Sequence, residues 1–183
     1  MAENNEGEIP SQISVCPATK EDLPAIEKIL RNTVQNPYGS GTVDEGEVQS
    51  QLGRINEALG KQQGDKTLVA RDQFGETLGF AFFGKPDPRI SEFTHSDPEY
   101  TQELKLLYVD HVKRSSGVGG RLLDAVEHDA KSTGATSIEL VSGPRYMLIG
   151  TGEFYLKKGY SLAGSIPNYF EGQYVAKVFQ KSL

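Results

Sequence analysis

Three glycines within four residues, Gly117, Gly119 and Gly120, stand between a polar segment and an apolar repeat. Val118, Leu122 and Val126 fall at i, i+4 and i+8, the spacing of one helix face. The glycines therefore sit where a helix begins. The first turn of a helix has backbone N–H groups with no intrahelical partner, and the macrodipole adds partial positive charge there. Glycine lets an anion come close to that backbone, and Lys113 and Arg114 add full charges beside it. Residues of these types at this spacing make a cradle for a phosphate group.

Two common phosphate cradles do not match. G-x-x-x-x-G-K-[ST] is absent from the chain. A dinucleotide fingerprint needs G-x-G-x-x-G directly after a strand, whereas here Leu122 stands at the third glycine and a seven-residue loop intervenes. A dinucleotide-binding fragment is further disfavoured because no second mononucleotide-binding half follows.

The cradle needs a strand before it and a helix after it. Residues 104–109 supply the strand, crowded with Leu106, Leu107 and Val109, and 110–116 are too polar to continue it inward. The helix runs to about Thr133 and stops at Gly134, a good residue to follow a helix end. Upstream, residues 13–16 form a short strand closed by Pro17. Thr19 and Asp22 have the spacing of a capping box before a first helix with Leu23, Ile26, Ile29 and Leu30 on its apolar face. Val48, Leu52, Ile55 and Leu59 mark a second helix. Residues 67–71 and 77–84 read as a hairpin, and 85–100, with three prolines, as a long loop. Downstream come a strand at 137–141, a short helix centred on 153–158, and strands at 160–164 and 174–181 around a loop at 165–172. This order predicts an α/β fold: a single mixed, mostly antiparallel sheet flanked by helices.

The chain of 183 residues suffices for one domain with a sizeable core, 12–183, preceded by an expected disordered tail over 1–11. The net charge of −6 argues against nucleic acid or an anionic membrane as main partner. One cysteine, Cys16, cannot form an internal disulfide, and no run of apolar residues is long enough to span a membrane. The acidic N-terminal segment does not read as a signal peptide, so a cytoplasmic location is expected. His95, His111 and His128 lack metal-ligand spacing with one another or with Cys16, so no metal is expected.

The string Arg114-Ser115-Ser116-Gly117-Val118-Gly119 resembles R/Q-x-x-G-x-G/A, the signature of the GNAT superfamily of N-acetyltransferases. About forty residues later, Phe154-Tyr155-Leu156-Lys157-Lys158-Gly159-Tyr160 resembles the F-Y-x-K-x-G-F/Y segment of that family's last helix. The element order agrees as well. The resemblance implies the GNAT acyl-CoA N-acyltransferase fold, with acetyl-CoA as cosubstrate and no metal. Its pyrophosphate would lie on Arg114, Ser115, Ser116, Gly117, Val118, Gly119 and Gly120. Its pantetheine arm would pair with the backbone of Leu107, Tyr108 and Val109. Tyr155 matches the tyrosine that protonates the departing thiolate. Glu103, eleven residues before Arg114, matches the catalytic glutamate of the histone-acetylating branch. The position seven residues before Tyr155, often asparagine in the family, is Leu148.

The activity so implied is transfer of an acetyl group to a primary amine, on a small molecule, polyamine or peptide, by direct transfer in a ternary complex. The competing reading is an acyl-CoA-binding or regulatory module without turnover. The expected partner is that amine acceptor, with no nucleic acid and no membrane, and a homodimer is allowed. Asp87, Glu92, Asp97 and Glu99 in one loop, with Tyr169, Phe170 and Tyr174 near another, lean toward an ammonium-bearing acceptor.

Overall fold

The computed structural model describes residues 12–33, 43–59, 61, 64–110, 113, 116–143, 150–170 and 174–183. The expected tail over 1–11, Arg114, Ser115, His111 and Leu148 lie outside the described residues, as do the side chains of Phe170 and Tyr174. The described residues contain seven strands in one sheet: β1 Ser14–Pro17, β2 Lys66–Arg71, β3 Thr77–Gly84, β4 Thr101–Val109, β5 Ser137–Ser142, β6 Ser161–Phe170 and β7 Tyr174–Ser182. Their spatial order is β1-β2-β3-β4-β5-β7-β6. Every neighbouring pair is antiparallel except β4 and β5. This is the mixed, mostly antiparallel sheet that the sequence predicts.

Among the described residues five α-helices flank the sheet: α1 Leu23–Thr33, α2 Glu45–Ala58, α3 Pro88–Thr94, α4 Val118–Ser132 and α5 Thr151–Lys157. Ile26, Ile29 and Leu30 of α1 and Val48 and Ile55 of α2 bury against Val69, Phe80, Phe82 and Leu106 on one face. Val118, Leu122, Leu123 and Val126 of α4 bury against Leu68, Ala81, Phe83, Ile138 and Leu140 on the other. The apolar stripes read at helical spacing are therefore the packed ones. Before α1, the backbone N–H of Thr19 donates to the Asp22 carboxylate at 2.8 Å, as the capping-box spacing predicts. No helix among the described residues is long and apolar enough to cross a membrane.

Two expectations need correction. Residues 85–100 are not one loop, because α3 lies within them. Asp87 caps it, accepting from the Arg89 N–H at 2.9 Å, and Pro88 occupies the first helical position, where a missing N–H costs nothing. Residues 165–170 are not a loop either, since β6 continues to Phe170. Gly164, Pro167 and Asn168 look like turn formers, but β6 is an edge strand, whose outer side tolerates proline and irregular backbone. Its register with β7 shifts twice, between Leu162 and Gly164 and between Ile166 and Phe170.

The feature that positions the site is a bulge in β4. Leu106 pairs with Phe82 and Leu104 with Phe83, so Lys105 is an extra residue on its strand. Side chains of a regular strand alternate between faces. Here Leu104 and Leu106, two apart, pack on opposite faces of the sheet. The bulge thus resets the alternation and bends the strand. On its other side β4 pairs with β5 only at Thr101, Gln102 and Glu103, opposite Ser137, Ile138 and Glu139. Beyond Glu103 the two strands have no further ladder partners in common, and a slot opens between them.

Candidate active site

A cavity of about 640 Å³ fills the slot. One wall is β4 from Leu104 to Val109, with Leu107, Tyr108 and Val109 all contributing. The opposite wall is Val141 and Ser142 of β5 together with Thr151, Phe154, Tyr155 and Lys158 of α5. The first turn of α4 closes the end. Gly117 caps that helix with φ of 84°, a left-handed conformation that side chains with a Cβ rarely adopt. Gly117, Val118, Gly119, Gly120 and Arg121 line the cavity, and Lys113 joins them. A side chain at Gly119 would project between Val109 and Phe154, into the cavity's walls. Ser116 lies outside this lining: it is exposed, and its hydroxyl donates to the Lys113 carbonyl.

Lys158 and Asp124, both lining residues, form an ion pair at 2.8 Å that ties α5 to α4. The end of the cavity carries Lys113, Arg121 and Lys158 against Asp124, an excess of positive charge in a chain of net charge −6. Together with the helix N-terminus this suits an anionic group.

Tyr155 is 6% exposed and belongs to both core and cavity. Its ring packs edge-on against Phe154 and Tyr160, at centroid distances of 5.2 and 5.5 Å, and tilted against Phe179. Burial pushes the Tyr155 hydroxyl well above the ordinary tyrosine range, so it stays protonated and able to donate near neutral pH. Ser142, 3% exposed, was not singled out by sequence reasoning. Its hydroxyl is buried, and among the described residues it has no hydrogen-bond partner. A buried hydroxyl left unpaired is costly, typically ~1–3 kcal/mol, and this one lines the cavity.

Glu103 is not a solvated strand-end residue. It is 5% exposed, and its Oε2 accepts from the Asp87 N–H at 2.8 Å and from Lys105 Nζ at 3.1 Å. Oε1 makes no bond among the described residues. Glu103 lines a second cavity of about 600 Å³, with Asp87 and Arg89 at the start of α3, Glu47, Gln51 and Arg54 of α2, and Tyr169 of β6. The two cavities share Lys105, Leu106 and Val141 as a common border. Tyr155 and Glu103 therefore lie on opposite sides of that border, one in each cavity. Of the acidic loop residues expected near the acceptor, only Asp87 lines the second cavity, while Glu92, Asp97 and Glu99 are exposed elsewhere.

Asp87 anchors a small cluster. Arg89 Nη2 donates to it at 2.7 Å, the Tyr169 hydroxyl at 3.2 Å, and the Arg89 guanidinium lies 4.2 Å from the Tyr169 ring centroid. The Arg89 hydrogen bond holds the Asp87 carboxyl below its usual range. At the far end of α3, Glu139 accepts from Thr94 Oγ1 at 2.7 Å and from the Ser96 hydroxyl. Two buried glutamates on adjacent strands thus hold α3 at both ends.

A model of the acetyltransferase (GNAT) family matches residues 23–159. Among solved structures, an acetyltransferase assigned to the GNAT family from Desulfovibrio desulfuricans superposes with a TM-score of 0.73 at 18% identity, covering 93% of this chain and 99% of that one. A ribosomal-protein-alanine N-acetyltransferase from Brucella melitensis gives 0.67 at 22% identity, over 93% and 99%. The protein yncA from Salmonella typhimurium, named as an acetyltransferase and solved with its cofactor acetyl-CoA, gives 0.65 at 18% identity, over 94% and 95%. No curated relative matches by sequence.

The unpaired Ser142 hydroxyl generates a stability prediction. Ser142→Ala removes a buried polar group that bonds to nothing among the described residues, so the melting temperature without ligand should stay level or rise. A fall equivalent to ~2 kcal/mol in thermal denaturation would mean that the hydroxyl is already satisfied.

Proposed function

The chain belongs to the acetyltransferase (GNAT) family, and on that premise we propose that it is an acetyl-CoA-dependent N-acetyltransferase acting on a primary amine by direct transfer in a ternary complex. The observation that carries this reading is the pair of cavities that meet at Lys105, Leu106 and Val141. One has the features of a cosubstrate site and the other of an acceptor site, and a direct transfer needs the two to meet.

The residues present fit acetyl-CoA. Gly117, Gly119 and Gly120 would hold the pyrophosphate on backbone N–H groups, with Lys113, Arg121 and Lys158 supplying charge. Among the described residues no strand pairs with β4 on its β5 side beyond Glu103, and such an edge suits an extended arm bearing amides. Ser142 would donate to or accept from a polar group of that arm. When bound, acetyl-CoA supplies an acyl group already activated as a thioester.

The chain's own groups then handle two protons. An amine acceptor is mostly protonated near neutrality, a lysine-like ammonium having a pKa of ~10.4. Glu103 would take that proton at Oε1, while Oε2 keeps the carboxylate oriented through the Asp87 N–H and Lys105. Tyr155 would hold a proton at its hydroxyl for the leaving sulfur, since burial keeps the phenol in its protonated form.

Three variants and the parent's own pH profile test this reading. In calorimetry, Ser142→Ala should bind acetyl-CoA about tenfold more weakly than the parent chain; equal affinity would remove Ser142 from the site. Tyr155→Phe should bind acetyl-CoA normally and turn over ~10²–10⁴-fold more slowly. Because the Tyr155 pKa is raised, the parent's rate should show no decline through the ordinary tyrosine range near ~10. An alkaline limb there that vanishes in Tyr155→Phe would contradict the burial argument. Glu103→Gln keeps an acceptor for the Asp87 N–H but cannot take a proton. It should lower kcat/KM and move the acid limb of the pH–rate profile up toward the acceptor's own pKa. A profile that does not move would assign the base elsewhere.

A further inference from the structure

The second cavity has a charge pattern that narrows the acceptor. Three cations line it, Arg54, Arg89 and Lys105, and three carboxylates, Glu47, Asp87 and Glu103. The carboxylates are already engaged. Asp87 is bridged by Arg89, Glu103 by Lys105, and Glu47 is not free either. The aromatic face that could receive an ammonium, the ring of Tyr169, is covered by the Arg89 guanidinium. An acceptor that is only a cation therefore meets no carboxylate without a partner among these groups, only the remaining Oε1 of Glu103.

Arg54 is the exception among the cations. Its Nη1 donates to Gln51 Oε1 at 3.1 Å, and its guanidinium lies 5.4 Å from the ring centroid of fully buried Phe82. No carboxylate among the described residues pairs with it. Glu47, Gln51 and Arg54 are spaced to share one face of α2, and all three line the cavity. A guanidinium held against an aromatic ring keeps a planar fork of donors that matches a carboxylate or phosphate. The cavity is also of a size that suits a small molecule.

We infer that the acceptor is a small amine that also carries an anionic group, as an amino acid does, with Arg54 holding the anion and the amine reaching toward Glu103. This rests on the reading of the second cavity as the acceptor site of an acetyltransferase. It keeps the ammonium-bearing acceptor toward which the acidic loop leans and adds an anionic group to it.

The test uses the full chain with acetyl-CoA and thiol release as the readout. Acceptors are offered in matched pairs: amino acids beside their amides, and phosphorylated amino alcohols beside the plain ones. The anion-bearing member should be preferred about tenfold or more in kcat/KM, and the pair with the larger ratio tells carboxylate from phosphate. In Arg54→Gln that ratio should fall toward one, chiefly through KM, and Arg54→Lys should restore part of it. Equal or better use of the anion-free members, no turnover of any anion-bearing amine, or a ratio unchanged in Arg54→Gln would each overturn the inference. Failure of the parent chain to bind acetyl-CoA in calorimetry would instead sink the acetyltransferase reading.

Discussion

Backbone N–H and C=O groups in a sheet need partners, and β4 loses its partners on one side halfway along. It pairs with the parallel strand β5 only through Thr101, Gln102 and Glu103, yet it stays extended to Val109 and paired with β3 on its other side. The rest depends on that half-open edge. The slot exists because the bulge at Lys105 bends β4 away, and because α5 and the end of β5 stand off as the facing wall. The first turn of α4 closes the slot with N–H groups that lack intrahelical partners and with glycines, which places the proposed anion-binding element at the end of that edge. A ligand with an anionic head and an amide-bearing arm satisfies both sets of backbone groups at once.

The same bulge organises the second cavity. Upstream of Lys105 the strand presents Glu103 to the face where α2 packs, and downstream it presents Leu106 and Tyr108 to that face. Lys105, the extra residue, reaches back to bond Glu103 and the Lys85 carbonyl. Burying a carboxylate alone is costly, so Glu103 persists in the interior only with Lys105 and the Asp87 N–H beside it. Its strand neighbour Glu139 is buried as well, held by the hydroxyls of Thr94 and Ser96. These two side chains fix α3 as one wall of the second cavity. The lining of that cavity is thus built by groups that also have to satisfy one another, which leaves Arg54 as the guanidinium with spare capacity.

Much of this was legible in the chain. The glycine cradle, the strand before it, the helix after it and Tyr155 were each carried by local spacing or a short motif, and each has its place in the first cavity or its walls. What local pattern could not carry were features set by register and by contacts between distant residues. The bulge at Lys105 is visible only against β3. The bond from Tyr169 to Asp87 joins residues 82 positions apart, and the ion pair of Lys158 with Asp124 joins residues 34 apart. Helix α3 is hidden for a different reason: Pro86, Pro88 and Pro98 together have the look of loop formers, although Asp87 followed by Pro88 is a helix start. Ser142 carries no motif at all, and only its burial without a partner among the described residues marks it.

The central claim is that the slot between β4 and β5 is where acetyl-CoA lies, and amide hydrogen exchange of the full chain with and without acetyl-CoA tests it most directly. The account predicts slowed exchange concentrated in residues 104–109 of β4 and 117–121 at the start of α4, with β2 and β6 little changed. Saturating acetyl-CoA that leaves those two segments exchanging as before, or that protects another part of the sheet instead, would contradict it.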